Sequence, residues 1–213
     1  MKRIAFLVSG SGTNMENLIQ KIRAGEIPAN PVIVISNKTG VKALERAAAL
    51  GVRTVVIDHK AYADREAFDK ALSECLEKHK VDLVVLAGFM RVLTEGFVKK
   101  YHGRLINIHP ALLPKFPGAH AIKDAWDSKV QETGVTVHFV DTGVDTGPVI
   151  LQRKVPVLPN DTLETLEARI VTYTNGIPGF ASQLIGTLQA RRLEPQAGTI
   201  WRALLTFTAE EAS

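Results

Sequence analysis

Short, unbroken apolar runs alternate with helical patterns through the first half of this chain, and nothing else in it constrains the fold as much. "KRIAFLV", "PVIVIS", "RTVVI" and "DLVVLAG" have strand character, and between them lie "TNMENLIQKIRAG", "VKALERAAALG" and "DREAFDKALSECLEKH". A strand with one face in water alternates apolar and polar residues, whereas a continuous Val/Ile/Leu run is covered on both faces. Parallel strands need long crossovers, and helical crossovers supply that cover. The pattern predicts an α/β fold: an open, mostly parallel twisted sheet with helices on both faces, of mononucleotide-binding type.

The second half is less regular. "RLINIHP" reads as a strand that runs into a proline-rich loop, and "IKDAWDSK" as a short helix. "GVTVHFV" and "PVILQRKVPV" read as an antiparallel strand pair joined by "DTGVDTG", and a helical pattern resumes at Thr162 until "NGIPG" interrupts it. No repeat, low-complexity segment or linker divides the 213 residues, so a single domain over 1–213 is expected. With 46% hydrophobic and 23% charged residues, the chain can build a sizeable core. Its one cysteine, Cys75, permits no intramolecular disulfide, fits a reducing cytosol and reads as a small buried apolar residue. "IAFLV" after Met1-Lys2-Arg3 leads into "SGSGTN" without a cleavage site, and no run is long enough to span a membrane, so a cytoplasmic protein without membrane or nucleic-acid partners is expected. The formal charge of +4 is spread along the chain, which suits small anions.

Two stretches carry candidate chemistry. "SGSGTN", Ser9 to Asn14, falls at the turn from the first strand into the first helix, where open sheets bind anions. A dinucleotide fingerprint would need glycine where Met15 stands and an acid where Ser36-Asn37-Lys38 stands, and a Walker A loop would need Gly-Lys-Ser/Thr. Two readings stay open: a single phosphate held on the helix N-terminus, or an ordinary capped turn.

The other stretch is "INIHPALLPKFPG", Ile106 to Gly118. Its prolines exclude helix interior and central strand, so it is a shaped loop at a strand end. Strand alternation puts Asn107 and His109 on one face at the carboxyl end, where such sheets place their chemistry. Downstream, "DTGVDTG" offers Asp141 and Asp145 on a loop with Gly143 and Gly147. A carboxylate beside His109 is expected to raise its pKa, and a cationic histidine next to an asparagine amide suits a developing oxyanion. The plainer alternative is a turn-forming asparagine with a structural histidine. No nucleophile accompanies the pair: there is no G-x-S-x-G elbow, and Ser9 and Ser11 have no adjacent base. His59, His79, His102, His109, His120 and His138 lack metal-ligand spacing. Direct acyl-type transfer between two bound substrates, with neither covalent intermediate nor metal, is the chemistry these residues suggest. His138, Trp126 and Trp201 read as packing residues, and His120 receives no role.

"SGSGTN", "LAGFMRVL", "NIHPALLPKFPG" and "GVTVHFVDTGVDTGPVI", in this order and spacing over roughly residues 1–170, closely resemble the phosphoribosylglycinamide formyltransferases, the monofunctional branch of the folate-dependent formyltransferases. "PKFPGAHA" and the length favour this branch over methionyl-tRNA formyltransferase, with its further C-terminal domain, and over formyltetrahydrofolate hydrolase, with its N-terminal regulatory domain. The resemblance implies a Rossmann-like formyltransferase fold, with a phosphate-binding half over 1–100 and a catalytic and folate-loop half over 101–213. It implies formyl transfer from 10-formyltetrahydrofolate, a co-substrate, to glycinamide ribonucleotide, without a metal, by a monomer or homodimer. Gly12, Thr13 and Asn14 would hold the ribonucleotide phosphate. Met90, Arg91, Val92 and Leu93 would line the folate pocket, Arg65 would reach the folate glutamate, and Asp141, Thr142, Gly143, Val144 and Asp145 would close over the pterin. Asn107, His109 and Asp145 would be the catalytic trio, with Asn107 also touching the folate.

The chain departs from this pattern after "LEARI". Thr174 and Asn175 stand where the family carries a Glu-His pair that holds the amino end of the acceptor, and Asn175-Gly176 with Pro178 predicts a break in the helix. Two other functions therefore stand beside the first: a formyltransferase acting on another amine, such as an amino sugar nucleotide, and a non-catalytic folate- or nucleotide-binding module.

Overall fold

Seven strands join in one sheet in the order β3-β2-β1-β4-β5-β6-β7 in a computed structural model that describes residues 1–175. The strands are β1 (Lys2–Val8), β2 (Ala29–Ser36), β3 (Thr54–Val56), β4 (Leu83–Leu86), β5 (Leu105–His109), β6 (Glu132–Phe139) and β7 (Val149–Pro156). The helices are α1 (Thr13–Arg23), α2 (Lys42–Ala49), α3 (Arg65–Lys78), α4 (Glu95–Lys100), α5 (Ala121–Asp127) and α6 (Leu163–Asn175). The pairs from β3 through β5 are all parallel, while β6 runs antiparallel to both β5 and β7. The unbroken apolar runs are the parallel strands, as expected. The six-residue helix α4 and a turn of 3₁₀-helix at His59–Ala61 are additions that the apolar pattern does not announce.

Each helix buries one stripe. α1 sinks Met15, Leu18 and Ile19, spaced three and four apart, against Phe6, Val8 and Val34. α2 and α6 complete that layer with Ala43, Ala47, Leu166 and Ile170, and the half-buried Trp126 packs against it as expected. On the other face α3 sets Phe68, Leu72 and Leu76 over Leu7, Ile33 and Val84, and α4 adds Phe97 and Val98. α3 starts where Asp64 accepts the Ala67 N–H at 2.7 Å, and α4 where Thr94 accepts that of Phe97 at 3.4 Å. Cys75 is half-buried rather than enclosed, because α3 turns it to the flank of its stripe; burial pushes its thiol pKa up.

This layering positions the chemistry. β5 turns Ile106 and Ile108 into the α1/α6 layer, so Leu105, Asn107 and His109 point the other way. Leu105 is covered in the α3/α4 layer; two and four residues further on, Asn107 and His109 reach an open cavity. β1 and β4 are neighbours whose connections leave toward opposite sides of the sheet, and this switch point opens the crevice. Among the described residues no helix is long and apolar enough to cross a membrane. The expected helix break after Asn175 and the packing of Trp201 lie outside the described residues.

Candidate active site

A cavity of about 340 Å³ opens beyond the carboxyl ends of β4 and β5. One wall is the segment after β4, from Gly88 to Leu93; another is the end of β5, Asn107 to Pro110; the loop from Asp141 to Asp145 forms the third. Phe89, Leu93 and Val98 give it an apolar lining, while Met90, Val92 and Val144 stand exposed at its edge.

Asp145 is the hub. Its Oδ1 accepts from Asn107 Nδ2 at 3.2 Å and lies 3.4 Å from His138 Nε2. Its Oδ2 accepts the Gly118 N–H at 2.8 Å and lies 3.3 Å from His109 Nδ1. The hydrogen bond with His138, the Gly118 N–H and the nearby imidazoles outweigh partial burial and lower its pKa to about 2, so the carboxylate is ionised at neutral pH. Asp145 takes a left-handed backbone (φ 55), an uncommon state for a non-glycine residue.

His109 is 3% exposed, and its Nε2 donates to the Phe116 carbonyl at 2.7 Å. The sequence led to the expectation of a raised pKa; the direction is the reverse. Burial lowers it and outweighs the Phe116 carbonyl and Asp145, while His138 adds to the lowering. The imidazole is therefore neutral at neutral pH. Yet both ring nitrogens face acceptors, so the imidazolium is the form whose hydrogen bonds are all satisfied.

Such a constellation, with no serine or cysteine among the described residues that line the cavity, is arranged for proton movement and for meeting negative charge on a carbonyl oxygen. Residues 2–177 match the formyl transferase family. The chain belongs to that family. It is 38% identical over 187 residues to the phosphoribosylglycinamide formyltransferase of Bacillus subtilis, covering 87% of this chain and 96% of that one. It is 47% identical over 185 residues, 87% of its length, to the trifunctional purine biosynthetic protein adenosine-3 of Bos taurus. Of the trifunctional proteins it matches, it spans only 12 to 19% of their length. Among solved structures, glycinamide ribonucleotide transformylase 1 from Symbiobacterium toebii superimposes with a TM-score of 0.85 at 43% identity, over 90% of this chain and 89% of that one.

In this chain, Asn107, His109 and Asp145 come together as the sequence suggested, and Met90, Arg91, Val92, Leu93, Asp141, Thr142, Gly143, Val144 and Asn14 line the same cavity. Arg65 is not brought to it: as the exposed first residue of α3 it stands outside the lining residues, and Arg91 is the cation in the wall, its buried Nε without a partner. Gly12 caps α1 in a left-handed conformation (φ 72), and a Cβ there would meet the Cβ of Ala43 at 2.5 Å. Glycine thus lets α2 close on the loop. No side chain caps the first turn of α1, and Asn14 keeps a buried Oδ1 without a partner. The free N–H groups at the start of α1 are donors of the kind an anion site needs, whereas the Asn14 Oδ1, an acceptor, adds nothing to it.

His138 is the residue that sequence reasoning misjudged. It lies on the face opposite Val137 and Phe139, as alternation required, and it is 2% exposed, but its partners are polar. It stands opposite Asn107 across the β5–β6 ladder, with Nε2 at 3.2 Å from Asn107 Nδ2 and Nδ1 donating to the Phe139 carbonyl at 2.8 Å. Only the strand register could have revealed it. Asp141 stays outside the constellation and organises its own loop, accepting from the Gly143 N–H at 3.1 Å and the Thr146 hydroxyl at 2.7 Å. Among the described residues no group of three or more His, Cys, Asp or Glu could hold a metal ion.

Proposed function

We propose that this chain transfers a formyl group from 10-formyltetrahydrofolate to the amine of glycinamide ribonucleotide, a step of de novo purine biosynthesis. The observation that carries the reading is the convergence of Asn107, His109 and Asp145, from two facing walls, on a cavity to which Phe89, Leu93 and Val98 give an apolar lining. Flat heteroaromatic ligands suit such a cavity, and about 340 Å³ lies within the range of small-molecule sites. Family membership and similarity to phosphoribosylglycinamide formyltransferases support it.

In this reading Gly12, Thr13 and Asn14 hold the phosphate of the ribonucleotide at the uncapped start of α1. Leu93, Val92 and Met90 flank the pterin, Asp141 to Val144 cover it, and Arg91 takes the carboxylate end, with Arg65 further out. Asn107 gives one amide hydrogen to Asp145 and turns the other to the formyl oxygen. His109, neutral beforehand, gains charge as the attacking amine loses its proton; its two N–H groups then meet Phe116 and Asp145. The charge of the resulting imidazolium, held in place by Asp145, and the Asn107 amide stabilise the tetrahedral oxyanion; as the bond from the formyl carbon to N10 breaks, a water relays the proton from His109 to that leaving nitrogen and the imidazole returns to neutral. An oxyanion donor of this kind is worth about 100-fold or more in rate. A cytosolic site of action is part of this proposal.

The test is the absorbance change on deformylation of a 10-formyl folate with glycinamide ribonucleotide, for wild type and His109→Ala. Turnover that is lost in the variant is the expected result. Folate binding without turnover on this amine would overturn the acceptor assignment and direct the search to other amines, while unchanged turnover in His109→Ala would overturn the trio.

A further inference from the structure

Ser9 joins the two substrate-facing segments of the molecule. It is the residue between the end of β1 and the glycine loop, it is 6% exposed, and it makes three hydrogen bonds across the switch point. Its N–H donates to the Gly88 carbonyl at 3.0 Å. Its Oγ accepts the Met90 N–H at 2.8 Å and donates to Asn37 Oδ1, at the end of β2, at 2.6 Å. Asn37 is itself 1% exposed and is fixed from behind, because His59 Nδ1 donates to its carbonyl at 3.0 Å. The glycine loop is tied on its other side, where Gly10 accepts the Ala43 N–H at 3.1 Å.

The backbone bonding between β1 and β4 ends where the Ser9 N–H meets the Gly88 carbonyl, and no ladder bond reaches on to Met90. The Ser9 hydroxyl supplies that link, and Gly88, in a left-handed conformation (φ 76), lets the chain double back to it. We infer that Ser9 is a positioning residue that fixes the Gly88–Leu93 wall of the cavity relative to the glycine loop, and so sets the affinity for the folate. The inference rests on the folate reading of the cavity. The hydroxyl touches no substrate; it acts through the Met90 amide. Removing it leaves the Met90 N–H and the buried Asn37 Oδ1 without that partner, and for the buried acceptor this costs more than the bond itself is worth.

The experiment compares wild type, Ser9→Ala and Ser9→Thr in three measurements: melting temperature, calorimetric binding of tetrahydrofolate, and hydrogen exchange of the Met90 amide by NMR. Ser9→Ala is expected to weaken tetrahydrofolate binding by about tenfold or more and to speed exchange at Met90, with a larger rise in KM for the formyl folate than for the amine. Ser9→Thr, which keeps the hydroxyl, is expected to restore both. Wild-type affinity in Ser9→Ala, or unchanged exchange at Met90, overturns the inference. So does unfolding of both variants, which would make Ser9 a stability residue. If the wild type binds no tetrahydrofolate, the folate reading fails instead, and exchange at Met90 alone decides whether Ser9 holds the wall.

Discussion

Asp145 and Phe116 grip the His109 ring from its two ends, the carboxylate Oδ2 at 3.3 Å from Nδ1 and the Phe116 carbonyl at 2.7 Å from Nε2. Both gripping residues have positive φ, 55 and 54, in a region where a side chain costs about 1–2 kcal/mol. The surrounding structure holds that strain so that two acceptors converge on one imidazole. Two acceptors want the ring charged, while enclosure at 3% exposure wants it neutral. Enclosure prevails in the free protein, and any proton delivered to the ring finds its partners already placed.

The pH dependence of the rate follows from this balance. A neutral His109 is needed before the amine attacks, and burial lowers its pKa from the ordinary 6.5. The acid limb of kcat/KM in formyl transfer should therefore lie below pH 6.5 and vanish in His109→Gln, which should also lose about 100-fold or more in rate. The linked stability has the same sign. With the folded pKa below the unfolded one, protonation favours the unfolded chain, so stability declines as pH falls below about 6.5 and levels off beneath the folded pKa. A limb above pH 6.5, seen in a profile of rate against pH, would show that the two acceptors outweigh burial.

Asp145→Asn removes charge with little change of shape. At neutral pH the wild-type carboxylate is ionised, its pKa lowered to about 2 from the ordinary 3.8. The variant should transfer formyl groups on the order of 100-fold more slowly, because the imidazolium formed at His109 loses its counter-charge. Acid unfolding followed by circular dichroism gives an independent check. A depressed carboxylate pKa contributes stability that is complete above about pH 4 and lost as pH falls toward 2. Asp145→Asn should lack that component, leaving a shallower acid transition than the wild type.

His138 should act on Asp145 rather than on substrate. Its hydrogen bond is the largest cause of the low Asp145 pKa, and it also faces the Asn107 amide. His138→Phe should raise the Asp145 pKa toward the ordinary carboxylate range and slow transfer, with KM values little changed. A carboxyl resonance followed by NMR through an acid titration would measure the first effect, and steady-state kinetics the second. An unmoved Asp145 titration would leave His138 a packing residue after all.

These residues also mark how far sequence reasoning reaches. The parallel strands were legible because burial on both faces leaves an unbroken apolar run, and Asn107 and His109 were legible because β5 alternates and ends in proline. His138 obeys the same alternation, yet its meaning depends on which residue faces it across an antiparallel ladder, and that register is set by the return of β6 along β5 rather than by any local pattern. The loop "DTGVDTG" contains two equivalent-looking aspartates; Asp145, with a left-handed backbone, turns to Asn107, His109 and Gly118, whereas Asp141 turns back on Gly143 and Thr146 of its own loop. Arg65 entered only through the family resemblance, and it is not among the residues that line the cavity. The six-residue α4 was hidden because it is too short to show a period.

Gly147 and Gly143 divide the labour in that loop, and substituting each should separate its contributions. A Cβ on Gly147 would collide with the Phe139 carbonyl, which is backbone and cannot rotate away, and would come within 3.2 Å of the Asp141 nitrogen. The Phe139 N–H to Pro148 carbonyl bond of 2.9 Å, which closes the base of the loop, would have to open. Asp145, two residues upstream, would then lose its seat between Asn107, His109 and Gly118. Gly147→Ala should cost about 1–3 kcal/mol in stability and at least tenfold in formyl transfer. A Cβ on Gly143 meets only the Thr146 side chain, which can turn aside at the loss of its hydrogen bond to Asp141. Gly143→Ala should therefore keep most of the stability and most of kcat, its main effect being on folate KM. Melting curves and steady-state kinetics on the two variants measure both quantities. Equal losses in the two would mean that the loop moves as one piece and that the contact with Phe139 does not set the position of Asp145.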